Sequence, residues 1–201
     1  MLRVGLTGGI ACGKSTVAAI LREYGIIVIE ADLLAHKLIE PGHVAYVDVV
    51  REFGKGVLNA DGMVDRAKLG AIVFANPGKL ERLNQIVHPH VIDAAERRMA
   101  ELARQEGSAV AVVEAALLIE AGYAERFDRL VVVWCRPEQQ RERLLARGLT
   151  PAQVEQRISA QMPIEQKRRM ATDEIDCSGS LASTRQQVEQ LAARLKQFAA
   201  A

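Results

Sequence analysis

Gly8-Gly9-Ile10-Ala11-Cys12-Gly13-Lys14-Ser15 (GGIACGKS) decides how the rest of this 201-residue chain is read. Gly8, Gly13, Lys14 and Ser15 match G-x-x-x-x-G-K-[ST], a pattern whose backbone N–H groups wrap phosphate oxygens. With this chain's glycine, lysine, serine and threonine frequencies, about 0.002 such matches are expected by accident. The flanks agree with the motif. Leu2, Val4 and Leu6 open a short apolar run before the glycines, and an amphipathic stretch from Lys14 to Tyr24 follows them, which is the order strand, loop, helix. An anion held there meets free N–H groups and the positive end of a helix dipole together. Lys14 reaches the terminal phosphates of a nucleotide as a point charge, and the Ser15 hydroxyl suits magnesium, a hard cation.

Working outward, Gly25 closes the helix and Ile26 to Ile29 run apolar and β-branched, as a strand covered on both faces does. A β-α-β unit with a parallel sheet results. Helical patterning from Asp32 to Ile39, Pro41-Gly42, a second helical stretch from His43 to Phe53 and a loop through Gly54, Gly56 and Gly62 read as an insertion. A long helix is expected from Pro77 to Arg104 with a break at Pro89, then buried strands at Ala109 to Val113 and Leu130 to Trp134. Trp134, at the end of its strand, reads as core packing. Ile175 marks a last short strand, and Leu181 to Phe198 a closing helix opened by Ser180.

From Arg136 to Ala171 the composition turns basic: Arg136, Arg141, Arg143, Arg147, Arg157, Lys167, Arg168 and Arg169 face Glu138, Glu142, Glu155 and Glu165. Gly148, Pro151 and Pro163 divide the segment into helical pieces. It reads as a lid that moves as a unit, or as a solvated helix pair. The whole is an α/β chain with a nucleotide-binding core at 1–32, 107–135 and 172–201, a substrate region at 33–106 and a lid at 136–171.

Bulk properties narrow the function further. With 26 Lys and Arg against 25 Asp and Glu, the net charge of +1 gives no chain-wide field for nucleic acid or an acidic membrane. The longest apolar run, Ala109 to Ile119, is interrupted by Glu114 and falls short of the ~18 residues of a membrane span. Met1 to Thr7 lacks the layout of a secretory signal, so a cytoplasmic protein is expected, as a monomer or weak oligomer. Cys12, Cys135 and Cys177 are odd in number and without a C-x-x-C pair, which argues against a disulfide framework or a zinc site and for free thiols. His88 and His90 flank Pro89, a poor metal motif without further ligands nearby.

The reaction must be read from outside the loop. No N-K-x-D base-reading motif is present, and neither Ala109–Glu114 nor Leu130–Cys135 ends in the Asp of a motor or transporter ATPase. A small kinase using ATP and magnesium fits best, because phosphoryl transfer rests on positioning and charge stabilisation. Asp32 directly follows the second strand, where the ligand crevice of a parallel sheet opens. It is a candidate for orienting or deprotonating an acceptor hydroxyl, or else a helix cap.

These residues resemble the dephospho-coenzyme A kinase family over nearly the whole chain. The resemblance lies in Gly5 to Thr16 (GLTGGIACGKST), Ala31-Asp32, Glu40 to Gly42 (EPG), Leu83 to Pro89 (LNQIVHP), Leu117 to Glu120 (LLIE), Arg147, Arg157 to Arg169 (RISAQMPIEQKRR), Ile175-Asp176 and Ser178 to Leu181 (SGSL). It implies a three-layer P-loop kinase fold with an inserted helical acceptor region and a helical lid, and transfer from ATP to the ribose 3′-hydroxyl of dephospho-coenzyme A. By the same resemblance Asp32 activates the acceptor, Arg147 is the lid arginine, the middle insertion holds the coenzyme A portion, and the ATP loop comprises Gly8, Gly9, Ala11, Cys12, Gly13, Lys14, Ser15 and Thr16. A kinase for another nucleotide or small alcohol, and a P-loop switch protein, are the alternatives. The family often has Asp at 30, Pro at 116, Asp at 172 and Asn at 177, where this chain has Glu30, Ala116, Thr172 and Cys177. Loss of the proline is expected to loosen its loop.

Overall fold

The computed structural model describes residues 1–105 and 109–200. The expected boundary between residues 106 and 107 lies outside the described residues. In chain order the elements are β1 (Leu2–Gly8), α1 (Lys14–Glu23), β2 (Ile27–Glu30), α2 (Ala31–Leu38), α3 (Val44–Phe53), α4 (Arg66–Phe74) and α5 (Pro77–Gln105). Then come β3 (Val110–Glu114), β4 (Arg129–Trp134), α6 (Pro137–Ala146), α7 (Pro151–Ser159), α8 (Ile164–Met170), β5 (Asp173–Asp176) and α9 (Leu181–Ala200). Two compact units form, one from Met1–Glu30 with Leu102–Ala201 and one from Ala31–Glu101.

The first unit is built on a five-stranded parallel sheet in the order β2-β3-β1-β4-β5. Period-two alternation explains how it is covered on both faces. Val4, Leu6, Val110, Val112, Val131, Val133 and Ile175 point to one face, where Val17, Ile20 and Leu21 of α1 and Val188, Leu191 and Leu195 of α9 pack on them. Leu130 and Val132 point to the other, against Leu118 and Ile119 with Met162 and Ile164 beside them. Each such side chain contributes roughly 1.5–3 kcal/mol relative to exposure. Helices on both faces of a parallel sheet make the expected three-layer α/β arrangement.

In the second unit Asp65 caps α4, its carboxylate accepting from the N–H groups of Ala67 (2.9 Å) and Lys68 (3.1 Å). Gly54, Gly56 and Gly62 read as a loop and mask this helix, although Asp before an apolar run is a cap signal. The break expected at Pro89 does not occur, because α5 continues through it. Proline removes one helical hydrogen bond and crowds the carbonyl four residues back. Here that carbonyl belongs to exposed Gln85, while Val87, Val91, Ile92 and Ala95 are buried on either side and hold the helical register. Burial outweighs the local propensity.

Of two smaller expectations, one holds and one shifts. Ser180 Oγ does accept from the Ser183 N–H at 3.2 Å, opening α9 as anticipated. Trp134 is only half-buried and carries the Arg168 guanidinium 3.9 Å above its ring, so it forms a cation–π lid on the strand end rather than core.

Candidate active site

The phosphate loop joins β1 to α1 at the carboxyl end of the sheet. Gly8 is held so close to β4 that a Cβ on it would lie 2.2 Å from the Val133 carbonyl oxygen, so no other residue fits. Gly13 takes φ +103° at the helix N-cap and supplies no side-chain cap, and the first turn of α1 carries no acid. Its orphan N–H groups are therefore left for an anion. Ala11 adopts a left-handed φ of 59°, a conformation that non-glycine residues rarely take outside turns and functional loops.

Lys14 Nζ lies 2.6 Å from Glu114 Oε1, and Ser15 Oγ lies 3.4 Å from the same oxygen. Glu114 ends β3, beside β1 in the sheet, and is 5% exposed. In the sequence this glutamate serves only to set aside the motor ATPases. The structure makes it the partner of both Lys14 and Ser15. A hydroxyl and a carboxylate are hard oxygen donors of the kind magnesium takes, so the residues present fit that ion.

The loop is also gripped from the segment that follows β4. The Ile10 N–H donates to Gln161 Oε1 (2.7 Å), while its carbonyl accepts from Gln140 Nε2 (2.7 Å). Arg143 spans the next peptide, Nη1 donating to the Ala11 carbonyl (3.1 Å) and Nη2 to the Cys177 carbonyl (2.9 Å). Behind Gln161 stands Lys167, fully buried, with Nζ 2.7 Å from Glu120 Oε1 and 2.9 Å from the Ala116 carbonyl. Glu120 Oε1 also accepts from the Met162 N–H at 3.0 Å, and the Ala116 carbonyl also accepts from Thr7 Oγ1 at 3.2 Å. Thr7 and Lys167 thus anchor the loop that lost its proline, so it is not the loose segment the sequence suggested. Much of the basic patch is already paired: Arg141 meets Glu155 at 2.7 Å, and Arg168 meets Glu174 at 2.7 Å.

Arg147 differs from its neighbours. It ends α6, is exposed, and among the described residues its guanidinium has no ion-pair partner. In the second unit Asp32 is exposed and lies within the first turn of α2, one residue past the helix start at Ala31. The capping position therefore precedes it. Its charge acts on two histidines: burial lowers the pKa of His88 and of His36, Asp32 opposes both shifts, and Arg66 adds to the lowering at His36. His90 turns to Asp48, Nε2 to Oδ2 3.5 Å. Among the described residues, no group of three His, Cys, Asp or Glu is placed to hold a metal ion.

The family description for dephospho-CoA kinase matches residues 2–183. The chain belongs to the dephospho-CoA kinase family. It is 49% identical to the dephospho-CoA kinase of Symbiobacterium thermophilum over 187 residues, 92% of this chain and 78% of that one. A solved structure from Thermus thermophilus superposes with TM-score 0.79 at 35% identity, covering 96% of this chain and 97% of the other. The dephospho-CoA kinase from Campylobacter jejuni does so with TM-score 0.72 at 28% identity, over 98% of each chain. Within this dephospho-CoA kinase family chain, the loop residues Gly8 to Thr16 were legible from the motif alone. Glu114, Gln140, Arg143 and Gln161 were not, because each meets the loop only through folding. The one available signal was an acid ending a buried apolar strand, and Glu114 carries it.

Proposed function

We propose that this protein transfers the γ-phosphoryl group of ATP to the ribose 3′-hydroxyl of dephospho-coenzyme A, giving coenzyme A and ADP, the last step of coenzyme A formation. The observation that carries this reading is family membership over residues 2–183, joined to a phosphate loop whose helix N-terminus is uncapped and whose Lys14 and Ser15 converge on one carboxylate. Among the described residues no helix is long and apolar enough to cross a membrane.

In this reading the N–H groups of Ala11, Gly13, Lys14 and Ser15 cradle the phosphates, and Lys14 leaves Glu114 to meet the developing negative charge. Ser15, with Glu114 beside it, would hold magnesium, which when bound offsets phosphate charge and fixes the terminal phosphates in line. Asp32 takes the proton of the 3′-hydroxyl, Arg147 stabilises the phosphoryl group in transfer as its segment, 136–171, closes as a lid, and residues 33–106 hold the coenzyme A portion. The two carboxylates have separate tasks: Glu114 is buried and already paired to a cation, while Asp32 is exposed and open to an acceptor.

An acceptor screen tests this. ATP turnover with dephospho-coenzyme A, adenosine and AMP is compared, and rapid ADP formation only with the first is expected. Equal turnover without any acceptor would instead mark a slow hydrolase that signals by conformation.

A further inference from the structure

Three cysteines that are distant in sequence meet behind the phosphate loop. Cys12 within the loop and Cys135 directly after β4 are 1% and 2% exposed, and their sulfurs lie 3.5 Å apart. Cys177, after β5, stands beside Gly13, where an added Cβ would come within 3.2 Å of its sulfur. All three belong to the apolar cluster beneath the sheet's α1 face. Arg143 completes the group through its bonds to the Ala11 and Cys177 carbonyls.

Phosphate binding uses the backbone here and gives none of these sulfurs a task. Their electrostatics do. The Cys135 thiol is lowered to about 7, first by its hydrogen bond with Cys12 and then by Arg143 and Arg136, against its burial and Asp176. Cys12 is pushed up by the same hydrogen bond and by burial. The pair therefore releases one proton near neutral pH and retains the other, the arrangement of a nucleophilic thiolate with a resolving thiol at van der Waals contact. Cys177 is raised, chiefly by burial, and suits neither role.

We propose that Cys12 and Cys135 form a modification site, a dithiol that hydrogen peroxide closes into a disulfide and so switches the phosphate loop to an inactive form. The Cys135 thiolate attacks one peroxide oxygen, the O–O bond breaks, and the departing hydroxide is protonated to water, leaving Cys135 as the sulfenic acid. The Cys12 sulfur then attacks the Cys135 sulfur and the S–O bond breaks. The released hydroxide takes the Cys12 proton as a second water. Two thiols lose two electrons in all, and one peroxide is reduced to two waters.

Closure from 3.5 Å to a disulfide bond length of about 2.05 Å draws Cys12 roughly 1.5 Å toward the end of β4. The loop has little slack, since Ala11 is already left-handed and a Cβ on Gly9 would sit 2.9 Å from the Cys12 sulfur. Misplacing a phosphate cradle by about 1 Å costs on the order of 10² in rate. Because both sulfurs are buried, peroxide reaches them through local opening of the loop, and bound nucleotide slows that opening.

The test uses the reduced full-length enzyme, treated with hydrogen peroxide, alkylated and mapped by tryptic peptide mass. Expected are a mass lower by two hydrogens, a cross-link joining the Cys12 and Cys135 peptides, a loss of turnover of roughly 10- to 100-fold reversed by dithiothreitol, and slower loss with ATP and magnesium present. Cys135→Ala keeps reduced activity and resists peroxide, whereas Cys177→Ala is as sensitive as the parent. Cys12 and Cys135 both remaining open to alkylation, a cross-link to Cys177 instead, a Cys12–Cys135 disulfide with unchanged turnover, or equal inactivation of Cys135→Ala would each overturn the proposal. The cross-link map needs no variant, so a poorly folding Cys135→Ala leaves the test intact.

Discussion

Lys14 Nζ and Glu114 Oε1 stand 2.6 Å apart, with the two side chains 13% and 6% exposed, so the lysine of the loop is held by a largely buried carboxylate. Removing one partner of such a pair leaves the other charge without compensation. Lys14→Ala is therefore expected to lose most turnover and about 3 kcal/mol of stability as well. The double change Lys14→Ala with Glu114→Ala separates the effects: the melting temperature recovers and the turnover does not. A double variant as unstable as the single one would show that Glu114 does not depend on Lys14.

Glu114→Gln keeps the shape of the strand end and removes its charge. If the carboxylate helps Ser15 to hold magnesium, the concentration of magnesium needed for half-maximal turnover rises about tenfold or more, in addition to the loss of about 3 kcal/mol of stability that follows from leaving Lys14 without its partner. A magnesium titration of both enzymes at saturating ATP reads this out. Superimposable curves would confine Glu114 to its pairing with Lys14.

Asp32 lies inside the first turn of α2 and not at the cap, so Asp32→Asn loses only a dipole interaction of about 0.3–1 kcal/mol in stability. If Asp32 is the base for the 3′-hydroxyl, its removal costs far more in rate. A fall of ~10² to 10⁴ in single-turnover transfer to dephospho-coenzyme A is expected, with ATP affinity retained. Equal single-turnover rates would remove Asp32 from the chemistry.

Arg147 has an exposed guanidinium and no ion-pair partner among the described residues, unlike Arg141 and Arg168. Arg147→Lys retains the charge but loses the forked donor. A drop of at least ~10² in single-turnover rate with an unchanged melting temperature is expected. Normal rates would leave it a solvated helix end.

Asp173 is tied to Arg129 at 2.9 Å and to Arg194 at 3.2 Å. Its burial acts to raise its pKa, but the hydrogen bonds from Arg129, Thr172 and Arg194 and the Arg129 charge outweigh that and hold the carboxyl below its ordinary 3.8. A depressed folded value means the contribution is fully present above 3.8 and is lost as pH falls through the folded pKa. Melting temperature should thus decline on acidification below about pH 4, and Asp173→Asn, already less stable at neutral pH, should decline less steeply. Parallel curves for the two proteins would contradict the assignment.

The residues from Gly8 to Ser15 specify their own structure because their requirements are local: glycine where β4 presses on the chain, glycine where φ is positive, and an uncapped helix start within a few residues. The same holds for the buried strands, whose unbroken apolar runs need cover on both faces, and for the family resemblance carried by contiguous motifs. What local pattern could not supply was everything joined across the fold. Pro89 reads as a break until the buried residues on either side of it are counted, and Trp134 reads as core until Arg168 is seen above it. Ile10 is gripped by Gln140 and Gln161, more than a hundred residues away, and Lys14 finds Glu114 only because β3 pairs beside β1. Three cysteines without any spacing signature become neighbours for the same reason. Hydrogen bonds and ion pairs act over a few ångströms of space, and in a parallel sheet the strand ends that share that space are separated in sequence by whole crossover connections.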